Sequence, residues 1–283
     1  MIQQLTTLNL FGNKTPDNNT IDFLIYLPHS SVDRDWLSFA RSTFQRMRDD
    51  ISDELFQSYI YHEADIGMRE VAESCMQNLE DLPISIGILE VNIPRALCDM
   101  NRPFERAVPP LMDKEKWKQI YDNATAEISE ILERSRFCLQ LHSMCSFDCV
   151  LPFGLNRDVS IAQIQEFLST GYSGKSRECI LLTSDTLGYY KSNREYDSLL
   201  IDCFWVKNIP LQKNTTYQLV SDYPATEIME SMPSSLLEIT KWSLANSDTS
   251  DMIDTNQIVF DSKKIYIFGE ILAQSIRQFI TKN

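Results

Sequence analysis

Three histidines occur in the 283-residue chain, and two of them occupy positions where chemistry could take place. His29 and His142 each follow a short apolar run that is typical of a buried strand. In α/β proteins, ligands bind at the carboxyl ends of the sheet strands. One histidine alone is usually a core residue with a satisfied hydrogen bond. Two in equivalent positions favour a metal site, because imidazole is the commonest metal ligand among side chains.

A catalytic zinc ion needs about three protein ligands and an open position for water, so a carboxylate should complete the pair of histidines. Three acidic residues are candidates for that place: Asp65, Glu63 and Asp33. A competing interpretation puts His142 in a structural zinc cluster with Cys145 and Cys149, in the spacing H-x2-C-x3-C. That cluster lacks a convincing fourth ligand, so the catalytic interpretation is preferred.

A second group of polar side chains follows the apolar run of residues 84–91, ISIGILEV. Its members are Arg95, Asp99, Asn101 and Arg102. Two arginines, a carboxylate and an amide at the end of a core strand are costly to desolvate unless something binds there. The alternative is an arginine–aspartate pair that locks a surface loop.

Glu238 lies in an otherwise apolar run, SLLEITKW, at residues 235–242. A carboxylate in such a run is either paired or has a raised pKa, and a raised pKa suits a group that transfers protons. The alternative is a glutamate on the solvent side of an edge strand.

Apolar patterning predicts the elements that must position these residues. Strands are expected over residues 21–27, 84–91, 137–141, 179–183, 201–206, 217–221 and 236–240, and residues 1–20 are expected to form a loop. Helices are expected after Asp33, around Met68 to Cys75, over 114–135, from Asp158 or Ser160 to Leu168, and over 263–282. This alternation predicts an α/β fold, a three-layer α/β/α arrangement with a mixed, largely parallel sheet, in a single domain of residues 1–283.

The composition argues against several classes of function. A net charge of -14 opposes a general affinity for nucleic acid or an anionic membrane. No apolar run is long enough to cross a bilayer, and the first residues do not resemble a signal peptide. Seven cysteines, an odd number, indicate reduced buried thiols. We therefore expect a cytoplasmic protein without nucleic-acid or membrane partners.

Five short motifs follow one another in the order seen in N-formylglutamate amidohydrolases, which belong with the zinc carboxypeptidase-like hydrolases. They are Pro28-His29-Ser30, Glu63-Ala64-Asp65, Arg95 with Asp99-Met100-Asn101-Arg102, His142-Ser143-Met144, and Leu237-Glu238-Ile239. The Asp-Met-Asn-Arg stretch also resembles the Asp-Leu-Asn-Arg run of the carboxypeptidases. The resemblance extends from about residue 24 to residue 242, and its specific part is the order of the motifs.

The resemblance implies a zinc-dependent amidohydrolase with a phosphorylase/hydrolase-like fold. His29 and His142 map to the histidine ligands and Asp65 to the acidic ligand. Asp33 and Glu63 stay as alternatives, because the carboxypeptidases place their glutamate three residues after the first histidine, where this chain has Val32. The other roles implied are general base for Glu238, oxyanion stabilisation or binding of a second carboxylate for Arg95, and substrate binding for Asn101, Arg102, Asp99 and Ser143.

The expected function is hydrolysis of the amide bond of a small N-acyl amino acid such as N-formylglutamate, a substrate that carries a carboxylate. Ser31 stands where the family usually has glycine after the first motif, so the acyl group and the amino-acid side chain stay open. Two alternatives remain: a non-catalytic carboxylate-binding protein on the same fold, and a metallopeptidase acting on short peptides. The first is disfavoured if a carboxylate lies within coordination range of both histidines.

Overall fold

The computed structural model describes residues 4–12, 20–33, 35–36, 38–39, 57, 60–61, 63–108, 112–144, 147–149, 172–176, 178–215, 218–248 and 258–282. For residues 147–149 and 172–176 only the backbone is described.

Nine strands occur in the described part of the chain. They are β1 (Thr6–Phe11), β2 (Phe23–Leu27), β3 (Ile86–Val91), β4 (Cys138–Met144), β5 (Phe147–Cys149), β6 (Tyr172–Ser176), β7 (Cys179–Leu182), β8 (Leu211–Lys213) and β9 (Ser234–Thr240). Seven of them form one sheet in the order β1-β3-β2-β4-β9-β7-β8, and β5 pairs with β6 separately. Strand pairs β3–β2, β2–β4, β4–β9 and β7–β8 are parallel, and β1–β3 and β9–β7 are antiparallel. The predicted mixed, largely parallel sheet is confirmed.

Seven helices occur among the same residues. They are α1 (Met68–Gln77), α2 (Phe104–Ala107), α3 (Lys114–Glu133), α4 (Arg194–Val206), α5 (Pro224–Ser231), α6 (Lys241–Leu244) and α7 (Ser262–Lys282). Helices α1, α4 and α7 pack their apolar faces on one side of the sheet, and α3 and α5 pack on the other. The sheet is therefore the middle of three layers, as the sequence predicted. None of these helices combines the length and apolar character that a bilayer crossing requires.

Central strand β2 shows why the strand sequences in this sheet are continuously apolar and do not alternate between apolar and polar residues. All five of its residues are buried, because alternate side chains enter the cores on the two faces of the sheet. Phe23 and Ile25 contact the α1, α4 and α7 layer, whereas Leu24 and Tyr26 contact α3. Burial of each such side chain contributes about 1.5–3 kcal/mol.

Several predicted elements were wrong or incomplete. Residues 201–206 end helix α4 instead of forming a strand, because the Asn193 side chain accepts a hydrogen bond from Tyr196 N (3.0 Å) and starts a helix there. A short apolar run cannot by itself distinguish a strand from a buried helical turn. Residues 6–11 form edge strand β1 instead of a loop. Strand β4 continues to Met144, so His142 lies inside it.

Other predictions fall partly outside the described residues. The helix expected from Asp158 or Ser160 to Leu168 lies outside them altogether. Of the strand expected over residues 217–221, Leu219 forms only an isolated bridge with Asp185. At the helix expected after Asp33, the Asp33 carboxylate accepts a hydrogen bond from Asp35 N (2.8 Å) in the manner of an N-cap. Five cysteines are buried free thiols: Cys75, Cys98, Cys138, Cys179 and Cys203.

Candidate metal centre

Adjacent parallel strands bring the two histidines together. Tyr26 of β2 pairs with Gln140 of β4, so His29, just beyond β2, and His142 of β4 reach the same edge of the sheet. Their ring centroids lie 5.2 Å apart with an interplanar angle of 64°. Both side chains are almost fully buried, at 1% and 3% exposure. The pairing expected from strand ends is therefore present.

Asp65 joins the histidines from the segment that precedes α1. Its backbone N–H donates to the carbonyl oxygen of His29 (2.8 Å). Its Oδ2 lies 3.0 Å from His142 Nδ1 and 3.4 Å from His29 Nδ1. One ligand atom from each of the three residues lies within 4.8 Å of the others, which makes them a possible metal centre among the residues described.

The alternative acidic ligands are placed differently. Asp33 is exposed, and Glu63 is only partly buried and does not belong to the group of possible ligands. Gly67 shapes the turn that presents Asp65, with a φ of 87° that few L side chains adopt. A Cβ at Gly67 would also lie 2.8 Å from Leu244 Cδ1. The backbone conformation therefore favours glycine here, and a side chain would also displace the flexible end of Leu244.

The hydrogen bonding of His29 fits a bound cation. Its Nε2 lies 2.9 Å from Asp99 Oδ1, and since a carboxylate only accepts, Nε2 carries the proton. In the neutral ring, Nδ1 then carries a lone pair instead of a proton. This nitrogen is buried without a hydrogen-bond partner, and it faces the Asp65 carboxylate. Two acceptors face each other stably only with a proton or a metal ion between them. Metal-binding histidines commonly donate their other N–H to a carboxylate in this way.

His142 leaves a second ring nitrogen unpaired. Its Nδ1 is directed at Asp65, and its Nε2 is buried without a hydrogen-bond partner. An unsatisfied buried polar group costs about 1–3 kcal/mol. The centre therefore contains polar atoms whose pairing requires something beyond the described protein residues.

Two carboxylates in the centre are held in the ionised form. Burial favours a higher pKa for Asp65, but the imidazoles of His142 and His29 hold its pKa well below the ordinary value. Burial likewise opposes ionisation of Asp99, and Arg95 and His29 nonetheless keep its pKa low. Burial works to lower the pKa of His29, yet the Asp99 carboxylate raises it overall. In the absence of a metal ion, a proton is thus favoured where a cation would bind.

Asp99 connects this centre to both arginines. Its Oδ2 lies 3.3 Å from Arg95 Nε and 3.8 Å from Arg102 Nε. Arg95 Nη1 also lies 3.9 Å from Asp65 Oδ1. The sequence assigned Asp99 to substrate binding, whereas the structure places it between His29 and the arginines. The Asp99 contacts lock the loop, while the arginine side chains remain 30% and 32% exposed.

Asn101 has a role that sequence reasoning missed. Its Oδ1 accepts a hydrogen bond from Ala225 N (3.0 Å) at the start of α5, and its own N–H donates to Asp99 Oδ1 (2.9 Å). The Arg102 guanidinium carbon lies 4.0 Å from the centre of the Tyr223 ring. No motif marked residues 223–225, because their importance comes from a contact across more than a hundred residues of chain.

Strand register separates the roles proposed for Glu238 and Ser143. His142 pairs with Glu238 on β9, and residues paired in this way share a face of the sheet. Burial raises the pKa of Glu238, and the nearby Asp65 carboxylate raises it further against the effect of His142. Ser143 pairs with Ile239 on the opposite face, and its Oγ is buried without a partner. The structure does not bring Ser143 to the centre.

The competing zinc cluster of His142 with Cys145 and Cys149 stays a prediction, since two of its three side chains lie outside the described part of the chain. Cys145 lies outside the described residues, and only the backbone of Cys149 is described.

A cavity of about 400 Å³ borders Asp65, between the segment after β2 and the start of α1. Its volume lies in the range of small-molecule sites.

Comparison with known proteins establishes the fold. The sequence matches no protein-family model and no curated protein. The structure is similar to N-formylglutamate amidohydrolase from Ralstonia eutropha JMP134, with a TM-score of 0.60 and 14% identity over 98% of this chain and 99% of that one. It is also similar to the gene product Atu2144 from Agrobacterium tumefaciens, with a TM-score of 0.54 and 12% identity over 99% and 96% of the two chains. At these identities the likeness concerns the fold, and it confirms at that level the resemblance found in the motifs.

Proposed function

We propose that this protein is a zinc-dependent amidohydrolase that cleaves the amide bond of a small N-acyl amino acid such as N-formylglutamate. The observation that carries the proposal is the meeting of two buried imidazoles at one carboxylate, with Asp99 holding the far side of His29. The fold shared with an N-formylglutamate amidohydrolase supports it.

His29, His142 and Asp65 are the residues that would hold the metal ion, each through one ligand atom. Two nitrogens and a carboxylate are a donor set that zinc uses in catalytic sites. A bound zinc ion lowers the pKa of water toward about 7 and polarises the carbonyl of the amide. Asp99 fixes the orientation of the His29 ring, so the centre is formed before the ligand arrives.

Glu238 is the proposed general base. It accepts a proton from the attacking water, whose oxygen adds to the amide carbon. The protonated Glu238 then donates to the leaving nitrogen as the C–N bond breaks, which yields a carboxylic acid and a free amine. A pKa raised by burial suits a residue that must both accept and donate a proton near neutral pH.

Arg102 is the proposed partner of the substrate carboxylate, and Arg95 of the oxyanion or a second carboxylate. Arginine suits both roles because its planar fork pairs bidentately with carboxylates. Both side chains keep about a third of their surface accessible beside the candidate metal centre. The carboxylate whose absence would favour a non-catalytic protein is present as Asp65.

The test begins with elemental analysis of the purified protein and a free-amine release assay on N-formyl and N-acetyl amino acids, with a dipeptide for comparison. Asp65→Asn is expected to lose both metal and activity, whereas the matched variant Asp33→Asn keeps both because Asp33 is exposed. Glu238→Gln should keep the metal and lower kcat by about 10²- to 10⁴-fold. A parent protein that retains no metal and releases no amine from any of these substrates would refute the proposal.

A further inference from the structure

Described residues contact the guanidinium of Arg102 at two points and its backbone at a third. The guanidinium carbon lies over the Tyr223 ring, 4.0 Å from its centroid, and Asp99 Oδ2 lies 3.8 Å from the guanidinium Nε. The Tyr121 hydroxyl donates to the Arg102 carbonyl oxygen (2.9 Å), which anchors the backbone. An arginine with a third of its side chain exposed would otherwise sample many rotamers.

Tyr223 is itself fixed relative to Arg102. It directly precedes α5, whose Ala225 N–H donates to Asn101 Oδ1, next to Arg102 in the chain. The Thr226 hydroxyl donates to Val220 O (2.8 Å), which closes the segment on the other side of Tyr223. Hydrogen bonds therefore fix the segment that carries the Tyr223 ring relative to the segment that carries the Arg102 guanidinium, although the two are far apart in the chain.

We infer that Tyr223 is a positioning residue for recognition of the substrate carboxylate, acting through Arg102. This inference rests on the proposed function, in which Arg102 binds that carboxylate. The cation–π contact with Tyr223 takes up none of the guanidinium N–H groups in a hydrogen bond, so they stay available for a bidentate pair with a carboxylate. Because Tyr223 restrains Arg102 before the substrate binds, less side-chain freedom is lost on binding.

This role predicts a selective effect on substrates. A compound with a free carboxylate gains from a fixed Arg102, whereas its carboxamide analogue makes no charged pair there. Loss of the ring should therefore raise KM for the carboxylate substrate by about 3- to 10-fold and leave kcat within about twofold. The carboxamide analogue should be hydrolysed with unchanged constants.

The experiment compares Tyr223→Ala, Tyr223→Phe and Tyr223→Leu in the zinc-loaded protein. Tyr223→Phe keeps the ring and should behave like the parent, while Tyr223→Leu keeps apolar contact without the π system and should resemble Tyr223→Ala. Tyr266→Ala, a change at a 52% exposed tyrosine, serves as the matched control. Thermal midpoints identify any variant that fails to fold, and Tyr223→Leu then replaces Tyr223→Ala.

Binding of glutarate, measured calorimetrically, separates this inference from the proposed function. If the parent protein binds glutarate through Arg102 and Tyr223→Ala weakens binding by the same 3- to 10-fold, the inference holds even without amide hydrolysis. Equal glutarate affinity in parent and Tyr223→Ala overturns it. So does an equal loss with the carboxamide analogue, or an affinity that Arg102→Ala leaves unchanged.

Discussion

Two buried carboxylates in this protein lie in polar clusters of opposite character. Asp197, only 1% exposed, accepts hydrogen bonds from Ser192 Oγ (2.8 Å) and Ser235 Oγ (2.7 Å) at one oxygen, and from the Tyr190 hydroxyl (2.6 Å) at the other. These bonds join helix α4 to strand β9 and to the segment between β7 and α4. Both carboxylate oxygens are paired within the protein, which is the pattern of a structural network.

Asp65 also has polar neighbours, His142 Nδ1 at 3.0 Å and His29 Nδ1 at 3.4 Å, but its cluster is incomplete. His29 Nδ1 and His142 Nε2 are buried without hydrogen-bond partners. The electrostatics differ as well: burial raises the pKa of Asp197, whereas the pKa of Asp65 is held low by two imidazoles despite burial. Hydroxyl donors stabilise a buried carboxylate without a cation. Imidazole nitrogens without hydrogen-bond partners beside an ionised carboxylate are stabilised by a cation. This contrast distinguishes the candidate metal centre from a structural network.

The largest predicted effect tests whether the Asp65 cluster binds metal. His142→Ala should abolish both metal retention and amide hydrolysis, measured by elemental analysis and amine release. The neighbouring change Ser143→Ala removes a buried hydroxyl that lies on the other face of the sheet and has no hydrogen-bond partner. This change should leave metal retention and amide hydrolysis intact. A fully active, metal-free His142→Ala protein would contradict the assignment.

The next effect tests the structural character of the Asp197 cluster. Asp197→Ala leaves three buried or half-buried hydroxyl groups without their acceptor, and it should lower the free energy of unfolding by about 2–4 kcal/mol. Urea unfolding measures the loss. Metal affinity of the folded variant should equal that of the parent, and a parallel loss of metal would show that the two clusters are coupled.

A smaller effect is expected where the Asp65 cluster meets the arginines. Asp99→Asn retains the shape of the side chain but removes the charge beside His29, and metal affinity should fall by about 10- to 100-fold. Competition with a chelator of known affinity measures the change. Asp33→Asn is the control, and an Asp99→Asn protein with parental affinity would show that Asp99 only braces the loop.

The smallest effect concerns pH. Because the pKa of Asp197 is raised above its ordinary value of 3.8, folded protein keeps a proton that the unfolded chain releases just above that pH. The stability due to the protonated form is present below 3.8 and is lost as pH rises through the folded pKa. Relative to Asp197→Asn, which does not titrate, the parent should therefore lose stability as pH rises through this window. Urea unfolding of both proteins from about pH 4 to about pH 7 tests the sign, and a parent that gains stability would contradict it.

Much of the fold was predictable because the apolar pattern within each long helix or strand matches the structure that the segment adopts. Helices α3 and α7 and strand β3 agree with the predicted ranges within two residues at each end. The error at residues 201–206 arose because a short apolar run is compatible with both a strand and a helix. The helix that begins at the Asn193 cap and packs in the same core as α7 decided between them. Strand β1 was missed because its polar alternation is that of an edge strand, which has a weak local signal.

Sequence by itself determined helices α3 and α7, the apolar run that leads to each histidine and the arginine-rich loop, since each depends on residues close together in the chain. Tertiary structure alone decided that Asp65 rather than Asp33 or Glu63 meets the imidazoles, and that Tyr223 lies under Arg102. Ligand sets and stacking partners are set by distances of a few ångströms between segments far apart in the chain. Local patterning does not encode those distances; packing of the three layers does.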